Sequence, residues 1–160
     1  MKKLLIIATI LMFIPGLTFA VEIDKPSSKD AKKVMDYYNH GKGSGAILVD
    51  YTLCREMGKE EETKNDCALS FDGNDIKIGD NIYLWMNFMI PVDDTAEIFI
   101  TYARNKRIRK TQKIALNSAF RYRTWKKITT EKPGLWTIQI FQELGKKDID
   151  LGTMTYAVKE

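Results

Sequence analysis

From Ala46 to Val158 the chain is written in the two-residue period of β-strands, which constrains its fold more than any other feature. Ile82, Leu84, Met86, Phe88 and Ile90 alternate with Tyr83, Trp85, Asn87 and Met89, a strand with apolar residues on both faces. Pro91 and Asp93-Asp94 are expected to stop it. Residues 97–104 and 107–117 read as a hairpin around Asn105-Lys106, and 119–128 as the strand that follows. Lys132-Pro133-Gly134 turns the chain into 135–142, where Trp136, Ile138 and Ile140 share a face. Met154, Tyr156 and Val158 point inward from a closing strand, 151–158. Earlier, 46–53 and 67–71 are two more strands, with Asp72-Gly73-Asn74-Asp75 as strong turn chemistry between them and Ile82. Seven or eight short strands, with no helix recurring between them, predict an all-β, antiparallel sandwich of immunoglobulin-like appearance.

The N-terminal forty-five residues are different in kind. Lys2 and Lys3 precede an apolar run, 4–13, which Pro15-Gly16 break. Thr18-Phe19-Ala20 then supply a small-x-small cleavage site, so residues 1–20 read as a secretory signal peptide. Val21 follows, not Cys, and nothing points to a lipid anchor. Residues 21–45 read as a lead-in, a short helix and a glycine-rich joint, and 46–160 as the sandwich domain. Ser27-Ser28 cap the helix, and Ala31, Val34, Met35 and Tyr38 form one apolar stripe at helical spacing. Gly41, Gly43 and Gly45 end it. These glycines follow a helix and precede a strand, the reverse of the order that aims helix amides at a phosphate.

A periplasmic or secreted address removes ATP, NAD and the reducing thiol pool from consideration. About 140 residues then remain, one ordinary domain able to bury roughly two-thirds of its unfolded surface. Its longest apolar run, 82–92, is far below the roughly 20 residues a membrane-crossing helix needs. In an oxidising compartment the two cysteines, Cys54 and Cys67, are expected to form one disulfide.

Catalytic signatures are lacking. His40 is the single histidine, so Ser/His/Asp and Cys/His mechanisms both depend on it, and its place at the helix C-terminus suits a capping role. With one histidine and paired cysteines the common zinc and copper sites lack ligands. Residues 72–75 lack the spacing and terminal Glu of an EF-hand loop. An enzyme working through carboxylates alone needs a facing acidic pair, and none can be placed. The reading is of a non-enzyme without a cofactor.

Charge is unevenly spread. Residues 21–96 hold nine Lys/Arg against fifteen Asp/Glu, whereas 97–132 hold eleven against two. Such asymmetry within one domain predicts a basic face. Its most distinctive stretch is 120–127. Alternation puts Arg121, Arg123 and Trp125 on one face and Phe120, Tyr122 and Thr124 on the other. If Phe120 and Tyr122 fill the core, two guanidinium groups and an indole stand together outside, and Arg107, Arg109, Arg121, Arg123, Trp125 and Lys126 are the candidate binding residues. Arg107, Arg109 and Lys113 share a face on the preceding strand. These cations can grip carboxylates or phosphates while Trp125 stacks on a sugar. The alternative is that Trp125 covers a sandwich edge while the arginines pair with the acidic half. Trp85 and Trp136, inside apolar alternation, are expected in the core. The secretory address and a formal net charge of +4 argue against nucleic acid as a partner.

The order of a basic hairpin, then residues 120–126, then Pro133-Gly134-Leu135-Trp136-Thr137-Ile138, then Leu151-Gly152 before a strand ending in Val158 resembles an uncharacterised bacterial domain family. That family is immunoglobulin-like in appearance and lies at the C-terminal end of envelope proteins. The resemblance spans residues 82–158 and implies fold and location, not activity. Together these readings predict a monomeric or weakly associating binding module of the cell envelope, with an envelope protein or an acidic glycan as partner. The alternative is an inhibitor or immunity protein that blocks a secreted hydrolase, with loop 55–66 as its plug.

Overall fold

The computed structural model describes residues 45–71 and 76–160 (without the side chains of 92–94), together with Ser28, Lys32 and residues 34–36. The leader 1–20, the stripe positions Ala31 and Tyr38, His40, Gly41, Gly43 and the turn at 72–75 lie outside the described residues. Ser28, Lys32 and 34–36 are helical. Of the expected apolar stripe, Val34 is half-buried and Met35 is 60% exposed.

Seven strands follow: β1 (Ile47–Met57), β2 (Cys67–Ser70), β3 (Ile76–Lys77), β4 (Asn81–Arg104), β5 (Arg107–Thr129), β6 (Gly134–Leu144) and β7 (Lys147–Lys159). The hydrogen-bonded order is β2-β1-β4-β6-β7-β3, with β5 pairing to β4. Two of these strands are far longer than the short ones expected. β4 runs 24 residues and β5 runs 23. Each serves both layers of a sandwich. Residues 83–89 of β4 pair with β1, whereas 98–104 pair with β6, and β5 follows β4 along both stretches.

Pro91 and Asp93-Asp94 therefore do not end the strand. They fall where the β4–β5 register shifts, between Phe88 and Ile90 and again between Ile90 and Thr95. The ladder is already broken there, so a residue without an N–H costs no regular pairing, and the strand bends from one layer to the other. At the far end, Asn105 and Lys106 have φ of 49° and 66°. Both are left-handed, as a two-residue type I′ hairpin requires, and the predicted turn stands. Every strand pairing is antiparallel except β3 with β7, a two-residue parallel bridge made after the chain crosses to the opposite layer.

The core forms between the layers. Leu84, Met86 and Phe88 of β4 meet Ile98 and Ile100 from its own second half, Ile138 and Ile140 of β6, and Met154 and Tyr156 of β7, all buried. Fully burying an Ile, Leu, Met or Phe side chain contributes roughly 1.5 to 3 kcal/mol, so this cluster dominates stability. Tyr51 of β1 crosses the core and donates to the Thr153 carbonyl at 3.0 Å. Gly152 is where its ring lies: a Cβ there would meet the ring carbons at 2.9 Å.

Buried Gln142 fastens the entry to β1. Its Oε1 accepts from the Ala46 amide at 2.8 Å and its Nε2 donates to the Ala46 carbonyl at 3.1 Å. Gly45, at φ +80°, lies so close that a Cβ would meet the Gln142 amide at 2.6 Å. Among the described residues, no helix is long and apolar enough to cross a membrane.

Candidate functional site

β5 concentrates the basic character of the chain. Its first half carries Arg107, Arg109, Lys110 and Lys113, its second half Arg121, Arg123, Lys126 and Lys127, and it contains no Asp or Glu. Among the described strands β5 pairs with β4 alone, so it is an edge strand along both layers. A row of cations on an edge repels strand addition by other chains and leaves the charge accessible.

In the second half, part of the outer face lies under a loop. Cys54 and Cys67 form the expected disulfide, with Cα atoms 5.7 Å apart, and so tie β1 to β2. The loop 58–66 between them folds back on itself, the Gly58 amide donating to the Asp66 carbonyl at 2.9 Å. It lies against β4 and β5. Trp85 Nε1 donates to the Asn65 carbonyl at 2.7 Å, and Arg123 makes a charge-assisted hydrogen bond to Asp66. Trp85 points away from the core, yet the loop leaves it only 8% exposed. Trp125, its cross-strand partner, meets the Tyr83 ring edge-on at 5.4 Å. Arg123 thus helps hold the loop in place, while Trp125 remains 38% exposed.

Two expectations for β5 need correction. Phe120 is not in the core; it is 61% exposed. Between the pairs Phe88–Tyr122 and Ile90–Ala119, both Phe120 and Arg121 stand opposite Met89, a bulge that breaks the alternation. Lys126 lies across the strand from Arg123 and Trp125, as alternation has it. It pairs with Leu84, whose side chain is in the core, and so lies on the inner side of the strand. Arg107, Arg109 and Lys113 do not share a face. Ala103 pairs with Ile108 and Tyr102 with Lys110, leaving Arg109 as the extra residue of a second bulge. Lys113 instead stands outside, paired with Glu97 at 2.6 Å above the Phe99 ring. Arg121 is exposed beside a shallow groove shared with Asn65, Tyr122 and Thr124.

The structure joins other residues instead. Because β5 serves both layers, its beginning and its end meet at the open end of the sandwich. There Arg109, Lys110, Lys127, Thr129 and Glu131 surround a cleft of about 230 Å³ whose apolar lining is Tyr102, Ile128 and Trp136. Tyr102 donates to Gln112 Oε1 at 3.0 Å, and burial pushes its hydroxyl up to about 12, so it stays neutral at ordinary pH. Tyr156 is raised further, by burial first and by the neighbouring Tyr102 second. Trp136 Nε1 donates to the Lys132 carbonyl at 3.1 Å, which orients the indole at the cleft. Sequence periodicity expected Trp136 in the core and did not single out Lys110 or Lys127. The available signal was charge density at both ends of one strand, readable only once 107–129 is known to be continuous. Among the described residues, no group of three or more His, Cys, Asp or Glu is placed to hold a metal ion.

Fold and surface together define an all-β sandwich with a basic edge strand. No protein-family model matches the chain, and no curated protein matches it in sequence. Among solved structures it is similar to the C-terminal domain of Wzt, at 9% identity and a TM-score of 0.47, covering 74% of this chain and 75% of that one. It is also similar to a CARDB domain from Pyrococcus furiosus solved with two metal ions, at 10% identity and a TM-score of 0.38, covering 74% of this chain and 94% of that one.

Proposed function

We propose that the chain is an exported, non-enzymatic binding module of the bacterial cell envelope, and that β5 presents its contact surface to an acidic glycan. The observation that carries this reading is the composition and position of β5: eight cations, no carboxylate, and one side unpaired among the described strands. Only Lys113 and Arg123 have ion-pair partners among the described residues; the other six keep their charge available. The leader-like segment 1–20 and the Cys54–Cys67 disulfide support an extracytoplasmic address, with cleavage near Ala20 and the sandwich domain spanning 46–160.

Affinity electrophoresis tests the binding. The mature protein should be retarded in gels containing polygalacturonate and not in gels containing dextran. Added salt should weaken the retardation, because exposed charges are screened within about 8 Å at 0.15 M. Arg107→Glu with Arg121→Glu should reduce it, and equal mobility in both gels would overturn the reading. Cell fractionation tests the address: the mature form should appear outside the cytoplasm with Cys54 and Cys67 oxidised.

A further inference from the structure

We propose that the cleft between the two ends of β5 is a site for one carboxylate-bearing sugar residue, the point at which the glycan is recognised and not merely attracted. This rests on the reading of β5 as a polyanion-binding surface. Attraction alone needs only charge, which is spread along the whole strand. The cleft adds shape, aromatic walls and a fixed acceptor, gathered from sequence positions as far apart as Tyr102 and Trp136.

Each part of such a ligand has a counterpart. Arg109, Lys110 and Lys127 stand at the rim, and a guanidinium can grip a carboxylate with two parallel hydrogen bonds. Glu131 and the Thr129 hydroxyl are acceptors for sugar hydroxyls. The Tyr102 hydroxyl spends its proton on Gln112 and keeps lone pairs for the ligand. Trp136, held by its bond to the Lys132 carbonyl, offers an indole to the apolar side of a pyranose ring. The volume limits the ligand. About 230 Å³ holds roughly eight waters at the packing of the liquid, enough for one ring with its substituents. A bare phosphate would leave Trp136 unused and would face the Glu131 carboxylate. A hydroxylated ring bearing a carboxylate uses both.

The test uses the mature chain labelled with ¹⁵N, following the Trp136 indole N–H, which a Trp136→Phe spectrum assigns among the three tryptophans. The probes are a galacturonate trimer, its methyl ester (the same sugar without charge) and inorganic phosphate. The acid trimer should shift the Trp136 resonance in a saturable way, while the ester and phosphate should leave it in place. Lys110→Met with Lys127→Met, both at exposed positions, should weaken binding of the trimer about tenfold or more with the rest of the spectrum unchanged. If polygalacturonate still retards the protein but the trimer leaves Trp136 unmoved, the cleft assignment falls and the β5 surface stands. A shift of equal size with phosphate or with the ester overturns the acidic-sugar assignment. Failure of both polymer and trimer removes the site and the surface reading together.

Discussion

Within the second half of β5 one patch is engaged by the rest of the chain, around Arg123, while Arg121 and Lys127 stay exposed. Arg123 is bound to Asp66, Trp125 packs on Tyr83, and a loop closed by Cys54–Cys67 lies over Trp85. The first half has no such cover among the described residues, and its Arg109 and Lys110 open onto a cleft that the last turn of the same strand completes with Lys127. Both halves are equally rich in cations. What separates them is the acidic loop 58–66, which brings the Asp66 carboxylate to Arg123 and the Asn65 carbonyl to Trp85 on one half and not on the other. A basic, aromatic sequence pattern thus marks a surface in need of a partner, and an internal loop can be that partner.

This contrast can be broken in several places. The largest effect is expected from the disulfide. Cys54→Ala with Cys67→Ala releases a loop of 13-residue separation and should cost roughly 3 kcal/mol in urea unfolding, with Trp85 fluorescence shifting as the cover loosens. A change below about 0.5 kcal/mol would mean that the loop is held by its contacts alone. On the cleft side, Tyr102 binds its proton more tightly folded, at about 12, than unfolded, near 10. The Tyr102 contribution should therefore be fully present below pH 10 and fall by about 2 to 3 kcal/mol as pH rises from 10 to 12, with buried Tyr156 adding to the loss over the same window. Urea melts at pH 9 and pH 12 measure this, and Tyr102→Phe should show a smaller drop.

Gln142→Leu strands the Ala46 amide and carbonyl in the core and should cost about 2 kcal/mol without affecting glycan binding. The smallest effect is also the most discriminating. Arg123→Ala breaks a partly buried pair whose arginine side chain is 25% exposed and should cost about 1 kcal/mol. Arg121→Ala, at an exposed bulge position, should change stability by less than about 0.5 kcal/mol. Equal costs for the two would erase the distinction between cover and open surface.

Much of the fold was legible because it is written locally. Asn105-Lys106 carries its hairpin in two residues that tolerate positive φ, and the doubly apolar strand 82–90 announces burial on both faces, which the loop over Trp85 provides. The disulfide followed from two cysteines and a compartment. The errors share one cause. A bulge adds a residue to one strand, so each face assigned by alternation beyond it is reversed, as happened at Phe120 and among Arg107, Arg109 and Lys113. Pro91 has a strong local meaning, but the register shift that accommodates it depends on pairing with β5, nearly thirty residues away. The cleft and the Gln142 clamp are products of long-range pairing and leave no local trace.

The division of β5 into a patch held by the loop around Arg123 and a cleft between its two ends is tested most directly by measuring melting temperature and polygalacturonate affinity on the same two proteins, Arg123→Ala and Lys110→Ala/Lys127→Ala. The first should lose a few degrees and keep its affinity within about twofold, and the second should keep its melting temperature and lose affinity about tenfold or more. Loss of affinity in Arg123→Ala at unchanged melting temperature, with full binding retained by the lysine pair, would contradict the account.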